Sequence, residues 1–123
     1  MKKFRYKIRK AQDKDLLSIR NLQEKYHSKN VSDAEKEKQG FVSVETDLHL
    51  LSRINKDIGI LVAEDDTKVD GYEMPFALDH AATIPLLDPF VRTFLDLSFK
   101  NKKIKEYKVV IAGQILVDKN FKG

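Results

Sequence analysis

The sequence predicts a single α/β (α+β) domain in which helices flank a mixed, mainly antiparallel sheet. Three observations predict this fold class: an alternating N-terminal segment that switches to helical spacing, a strand–turn–strand pattern in the middle, and a strongly apolar stretch near the end. A length of 123 residues suits one domain with its own core. An apolar content of 41% is ordinary for a globular protein and argues against wholesale disorder.

The first half of the chain predicts a strand followed by helices. Residues 4–9 alternate aromatic or aliphatic side chains with Arg and Lys, which is the period of a half-buried strand. Residues 12–27 then change to the spacing of an amphipathic helix. Residues 28–57 are less regular and predict one or two short helices and a loop, with Thr46 or Asp47 as a helix cap.

The middle of the chain predicts a β-hairpin. Residues 58–64 are too apolar and too few for anything but a buried strand. The polar residues 65–68 form a turn, and residues 69–80 continue as the second strand. Pro75 has no amide hydrogen to donate to a ladder, so we expect a bulge or an edge position there.

The last part of the chain predicts a helix and then a buried strand. Asp88 is expected to cap the helix within residues 86–103, and Pro89 suits its first position. Residues 106–118 carry apolar side chains on both faces of a strand. This pattern is typical of a strand that is covered on both sides near the centre of a sheet.

The composition excludes several kinds of site. The chain has no cysteine, which excludes disulfides, thiolate metal sites and thiol nucleophiles. The three histidines and the acidic residues show no ligand spacing, so no metal is expected. No stretch approaches the roughly 20 apolar residues of a membrane span, and the N-terminus lacks a signal-peptide hydrophobic region. The expectation is a cytoplasmic protein without a membrane partner.

The net charge of +4 is concentrated in two clusters of basic residues. Such clusters suit anionic partners, and they equally suit solvated faces beside apolar strands. The clusters consist of Lys2, Lys3, Arg5, Lys7, Arg9 and Lys10 near the start, and of Lys100, Lys102, Lys103, Lys105 and Lys108 before the last strand.

The order of elements, together with two segments, resembles the N-terminal portion of the acetyl-CoA-dependent GNAT-type N-acetyltransferase superfamily. The segments are KVDGYEMPF at 68–76 and QILVDKNFKG at 114–123. Family members begin with a strand and two helices, run an antiparallel hairpin, and pass through a third helix into a fourth strand. A pyrophosphate-binding motif, Gln/Arg-x-x-Gly-x-Gly/Ala, follows that strand. Residues 117–123 look like the approach to it, with Lys122 where Gln or Arg is usual.

The two glycines that define this motif are absent from the sequence. The resemblance therefore implies one N-acetyltransferase-like domain over residues 1–123, with a GNAT-like fold that lacks its C-terminal part and its pyrophosphate loop. Such a chain is expected to bind acetyl-CoA weakly and to be inactive or impaired.

By resemblance, the chain transfers an acetyl group from acetyl-CoA to a primary amine by direct attack. The fourth strand would pair with the pantetheine arm through its backbone, and one N–H would polarise the thioester carbonyl. The diphosphate would meet the first residues after that strand. The cofactor-binding residues so implied are Ile115, Leu116, Val117, Phe121, Lys122 and Gly123.

The attacking amine must be neutral, although free alkyl amines have a pKa near about 10. A carboxylate or a histidine is therefore expected to remove its proton. Glu73 and His80, on the second strand of the hairpin, are the catalytic candidates, and Glu45 in the helical region is a third. By resemblance, the acceptor, a small-molecule or peptide amine, would be held by Phe41, Val42 and Tyr72.

Two alternatives stay open. One is a catalytically silent GNAT-like binding module that retains only the acceptor pocket. The other is a small basic domain that binds RNA or another polyanion, although the sequence shows no aromatic signature of the RRM kind, so nucleic acid is not the expected partner. The last strand is also expected to leave its outer edge uncovered, which predicts a homodimer, or a partner segment, along residues 106–118.

Overall fold

The computed structural model describes residues 6–39, 44–66 and 68–119. Within them the α-helices are α1 Leu16–Tyr26, α2 Asp33–Gln39, α3 Leu48–Asp57, α4 Leu78–Ala82 and α5 Asp88–Leu95. The strands are β1 Tyr6–Lys10, β2 Leu61–Asp65, β3 Lys68–Ala77, β4 Ser98–Phe99, β5 Lys102–Lys103 and β6 Val110–Val117. Short 3₁₀ turns lie at Asp13–Asp15, Ser28–Asn30 and Ile104–Glu106.

Four strands form one antiparallel sheet in the order β1-β2-β3-β6, and β4 pairs with β5 in a separate small hairpin. The predicted mainly antiparallel sheet with flanking helices is thus confirmed as a mixed α+β fold. Tyr72, Met74 and Phe76 alternate along β3 and are buried in the same core as α1 and α3. Each such apolar side chain contributes about 1.5–3 kcal/mol through burial.

The helical predictions of the first half are confirmed. The turn Asp13–Asp15 leads into α1, and residues 28–57 contain α2 and α3 joined by a loop. Asp47 is the cap of α3, because its Oδ1 accepts a hydrogen bond from the Leu50 N–H at 2.7 Å. The helix ends at Asp57, and Gly59 lies just beyond it, where its φ of 118° suits glycine and its N–H donates to the Ile54 carbonyl.

Arg9, one of the clustered basic residues, is engaged within the fold. Its guanidinium forms two hydrogen bonds with the Asp15 carboxylate, at 2.7 and 2.9 Å, and one with Glu64 at 2.8 Å. The hydrogen bond from Arg9 holds the pKa of Asp15 below its ordinary value, and the same guanidinium lowers the pKa of Glu64. This contact joins β1 to the start of α1 and to β2.

Two predicted boundaries in the second half are wrong. The second hairpin strand ends at Ala77, so His80 lies in α4 and not on β3. The Ala77 N–H donates to His80 Nδ1 at 3.1 Å, which favours a helix start at this point over a longer strand. Pro75 does lie at an irregularity of register, between Met74 and Phe76, as predicted.

The predicted helix within 86–103 is shorter than expected. It ends at Leu95, and residues 98–103 form the β4–β5 hairpin because Lys100 and Asn101 adopt positive φ angles in a two-residue turn. Asp88 is not the cap. It is the first helical residue and pairs with Arg92 at 2.9 Å, so Pro89 is the second helical residue and not the first as predicted.

The prediction that the last strand is covered on both faces near the sheet centre is wrong. β6 is an edge strand, and no strand of the described residues pairs with its outer side. Leu116 is 7% exposed toward the helices, whereas Ile115 is 73% exposed on the opposite face. An apolar pattern on both faces shows that a strand can be buried on both sides, but it does not show whether another element covers each side. Self-association along 106–118 stays a prediction.

Candidate functional site

A β-bulge interrupts the pairing of β6 with β3. Met74 is paired with Gln114 and Phe76 with Ile111, so two steps along β3 correspond to three along β6. Two residues, Pro75 and Gly113, account for the bulge. Pro75 has no N–H for the ladder, and a Cβ on Gly113 would overlap the main-chain oxygen of Met74 and lie 2.8 Å from the Phe76 ring. Bulges of this kind redirect backbone groups beside functional sites.

The alternation of an antiparallel ladder shows which backbone groups of β6 face outward. The Asp118 N–H donates to the Asp70 carbonyl at 2.7 Å, and the register continues without a break to Met74–Gln114. Residues two positions apart point their N–H groups the same way. The N–H and C=O groups of Ile115 and Val117 therefore face the free edge of the sheet, where no described strand pairs with them.

An apolar cavity of about 490 Å³ lies beside the bulge. One wall is residues 111–115 of β6, and the other walls come from α4, α5 and the segments next to them. The residues that line it outside β6 are Val44, Phe76, Ala81, Leu86, Leu87 and Phe90. Its volume is that of a small-molecule site.

Gln114 is the one described lining residue with a polar side chain, and both polar atoms of its amide are hydrogen-bonded within the protein. Its Oε1 accepts hydrogen bonds from the Tyr72 hydroxyl at 2.8 Å and from Gln23 Nε2 at 3.3 Å, and its Nε2 donates to the Val44 carbonyl at 2.8 Å. Gln23 Oε1 in turn accepts from the N–H and the hydroxyl of Thr46. This buried network holds β6 against α1 and against the segment that precedes α3.

Tyr72 belongs to this network and not to the cavity wall. It is buried on the helix side of β3, and burial raises the pKa of its hydroxyl above the ordinary value, although a hydrogen bond with Gln23 opposes the shift. The hydroxyl therefore stays protonated and donates to Gln114. The structure does not bring Tyr72 to the cavity as an acceptor contact.

The two predicted catalytic residues lie apart. Glu73 is exposed on the uncovered face of the sheet, where it lines a small groove with Leu61 and Ile115. His80 is 0% exposed and lies 2.7 Å from Asp57 Oδ2 through its Nε2. Because its Nδ1 accepts the Ala77 N–H, the ring proton is on Nε2 and donates to Asp57. His80 thus joins α4 to the end of α3, and neither residue lines the cavity.

Asp57, Asp79 and His80 each place one potential ligand atom within 4.8 Å of the others. Hydrogen bonding explains the cluster. His80 Nε2 donates to Asp57, and Arg53 lies 3.4 Å from Asp79 Oδ2. A metal ion would have to displace both partners, so these residues are better described as a junction between α3 and α4.

Glu45, the third candidate base, is paired with two cations, Arg20 at 3.4 Å and Lys29 at 3.5 Å. Of the predicted cofactor residues, Ile115 lines the cavity, Leu116 is buried and Val117 lies on the groove of the uncovered face. The predicted residues Phe41, Val42, Phe121, Lys122 and Gly123 lie outside the described residues.

Two buried carboxylates lie where β6 ends. Asp118 accepts hydrogen bonds from Lys25 Nζ at 3.0 Å and from the Tyr26 hydroxyl at 3.1 Å, which attaches the strand to α1. Asp70 is fully buried, and neither of its carboxylate oxygens has a hydrogen-bond partner among the described residues. The Lys68 ammonium is 4.0 Å away. Burial raises the pKa of Asp70 above its ordinary value, although Lys68 opposes this shift.

The sequence reasoning placed a bulge or an edge position at Pro75, but it missed the part that Gly113 plays and the Gln114 network. A signal for Gly113 was available, because an isolated glycine inside an apolar strand often marks a bulge or a close approach of another backbone. No signal in the sequence pointed to the network, since its members are separated by up to 91 positions along the chain.

Comparison of the chain with models of protein families, with curated proteins and with solved structures yields no match. Among the described helices, none has the length and apolar character needed to cross a bilayer. The function therefore has to be argued from the bulge, the free edge and the cavity themselves.

Proposed function

We propose that this chain is an acetyl-CoA-dependent N-acetyltransferase with a GNAT-like fold, which transfers an acetyl group to a primary amine by direct attack. The observation that carries the proposal is the bulged edge strand β6 with an apolar cavity at its side. The order of the elements supports it, because a strand, helices, a hairpin, further helices and a fourth sheet strand follow one another as the family resemblance implies.

The free edge of β6 is suited to an extended ligand that carries amide groups. The outward N–H and C=O groups of Ile115 and Val117 are spaced as in any strand, so a pantetheine arm can pair with them as an added strand does. Main-chain pairing gives affinity without help from side chains. This explains how a segment with apolar side chains, 115–117, can bind a polar arm.

The N–H of Ile115 is the donor best placed to polarise the thioester carbonyl. Ile115 lies at the end of the cavity wall, and its N–H points away from β3. The negative charge that develops on the carbonyl oxygen would meet a fixed dipole beside an apolar volume. A single donor of this kind lowers the barrier by about 3 kcal/mol.

The reaction then needs an amine whose nitrogen lone pair is free. The nitrogen attacks the carbonyl carbon, a C–N bond forms, and the π electrons move to the carbonyl oxygen. As the carbonyl re-forms, the C–S bond breaks, and the leaving thiolate takes up the proton that the nitrogen releases. An apolar cavity disfavours a charged amine and so lowers its pKa from the usual value near about 10. None of Glu73, His80 and Glu45 lines the cavity, so in this scheme the proton leaves the amine before it enters.

Titration of the chain with acetyl-CoA, followed by calorimetry, tests the proposal. We expect weak but saturable binding of acetyl-CoA, because the glycines of the pyrophosphate motif are absent from the sequence. When a primary amine is added, we expect slow release of one free thiol for each acetylated amine detected by mass spectrometry. Acetyl-CoA that neither binds nor reacts would overturn the proposal. Binding of amines without binding of acetyl-CoA would identify the silent module instead.

One specific observation favours the polyanion-binding alternative. In the β4–β5 hairpin, the Lys100 ammonium lies 5.4 Å from the centre of the Phe99 ring, and Lys102 lies 4.8 Å from that of Tyr107. The two rings pack edge to face at 6.2 Å. The Phe99 ring is exposed and the Tyr107 ring is half-buried. Single-stranded nucleic acids stack on exposed rings, and neighbouring lysines neutralise their phosphates.

If this hairpin binds nucleic acid, a fluorescent oligouridylate will show a dissociation constant that rises steeply between 50 and 200 mM salt, by about tenfold for every two or three phosphates neutralised. The double substitution Lys100→Gln with Lys102→Gln should weaken that binding. Lys14→Gln with Lys56→Gln removes the same charge from two exposed sites elsewhere and serves as the control. Affinity that is absent, or that does not depend on salt, would dismiss the alternative.

A further inference from the structure

We infer that the acceptor is a primary amine carried on an apolar aromatic or aliphatic body with no second charge, and that this body occupies the cavity between β6 and the α4–α5 region. The inference rests on the proposed function. It assigns the cavity to the acceptor because the outward-facing backbone of 115–117 is the segment proposed for the acetyl donor. The remaining cavity wall, residues 111–114, is left for the amine.

The described lining carries no free polar side chain. Ten of its eleven residues have aliphatic or aromatic side chains or none, and Gln114 has both amide atoms bonded within the protein. A ligand in this volume can therefore be held by apolar contact and by the main chain of β6. Orientation comes from shape, because no carboxylate among the described lining residues can act as a counter-ion.

This chemistry selects against amines with several charges. A second ammonium group would lose its hydration on entering the cavity and would find no carboxylate to replace that hydration. Glu73 is on the opposite face of the sheet, and Glu45 is already paired with Arg20 and Lys29. Polyamines and aminoglycosides are thus poor acceptors, while an amine with one ionisable group need only lose a single proton.

The rim of the cavity supports an aromatic or branched body. Phe90 is 55% exposed although it lines the cavity, and its ring stacks on Phe94 with centroids 5.7 Å apart and planes within 12°. Leu86 lies beside the same opening. An aryl group that enters would bury this exposed apolar surface, which gains about 25 cal/mol for each Å² removed from water.

Binding and competition with two amines test the inference. We expect 2-phenylethylamine to bind the chain in calorimetric or NMR titrations, and spermidine to bind at least about tenfold more weakly. In a mixture with acetyl-CoA, 2-phenylethylamine should be the amine that is acetylated. Phe90→Ser should weaken its binding about tenfold. Phe99→Ser is the matched control, since Phe99 is 56% exposed and lies outside the cavity.

The outcomes separate this inference from the proposed function. Acetylation of spermidine in preference to 2-phenylethylamine would overturn the acceptor class and leave acetyl transfer intact. If Phe90→Ser and Phe99→Ser weaken the binding of 2-phenylethylamine equally, the amine does not bind in this cavity. Binding of 2-phenylethylamine without any binding of acetyl-CoA would overturn the proposed function and leave the apolar amine site in place.

Discussion

Replacing Ile115 with proline is expected to lower kcat/KM for acetyl transfer by about 10²–10³, the cost of losing one oxyanion donor. The reason lies in the main chain, because proline removes the N–H that faces the free edge of β6. An edge strand tolerates proline where its N–H does not serve the ladder. Initial rates of thiol release, measured at several amine concentrations, give kcat/KM for the variant and for the unchanged chain.

Ile115→Ala is the matched control for this substitution. It removes a side chain that is 73% exposed but keeps the N–H, so its rate should stay close to that of the unchanged chain. Circular dichroism spectra and melting curves of both variants establish that β6 remains folded. Equal rates for the proline and alanine variants would mean that the Ile115 N–H takes no part in the reaction.

Replacing Asp70 with asparagine is expected to stabilise the protein by about 1–3 kcal/mol at pH 7, because the neutral amide does not carry the charge that burial disfavours. The Asp70 carboxylate is fully buried and has no hydrogen bond within the described chain. The exposed Lys68 ammonium lies 4.0 Å away, while the carboxylates of Asp65 and Asp118 repel that of Asp70. Asparagine keeps the shape and removes the charge. Urea unfolding followed by circular dichroism measures the change.

The gain from Asp70→Asn should depend on pH with a definite sign. Burial raises the pKa of Asp70 in the folded chain above its ordinary value, so the folded state takes up a proton before the unfolded state does. As the pH falls through that raised pKa, the unchanged protein loses its penalty and the two stabilities converge. Asp96→Asn is the control, because it changes an exposed aspartate. It should shift the free energy of unfolding by less than about 0.5 kcal/mol, both at pH 7 and below the raised pKa of Asp70. A destabilised Asp70→Asn variant would mean that the carboxylate has a partner that holds it.

The local elements of the fold were predictable because they depend on periodicity and on a few residues with special backbone chemistry. The change from a period of two to helical spacing located β1 and α1, and the cap predicted at Thr46 or Asp47, which the structure places at Asp47, located the start of α3. The bulge at Pro75 followed from its missing N–H. The helical pattern predicted over residues 86–103 was weak at its end, and there the prediction was wrong. Residues 98–103 form a hairpin because Lys100 and Asn101 adopt positive φ angles, which the residue types alone did not indicate.

The candidate site was predictable only in part. The segment 115–117 was selected by resemblance, and Ile115 does line the cavity beside the bulge. Glu73 and His80 were selected as ionisable residues close to a presumed cleft, but one faces the far side of the sheet and the other is buried with both ring nitrogens bonded. Gln114 was not selected at all, although its bonds to Tyr72, Gln23 and Val44 shape the cavity wall.

By itself the sequence determined which segments form strands and helices, the absence of any cysteine chemistry, and a last strand that is apolar on both faces. Only the tertiary structure decided that this strand lies at an edge of the described sheet, that the backbone groups of Ile115 and Val117 face outward, and that the described lining of the cavity beside it carries no charge. The physical reason is that local periodicity depends on neighbours in the chain. Exposure, counter-ions and ladder direction depend instead on residues that are far apart in the chain and meet only once it has folded.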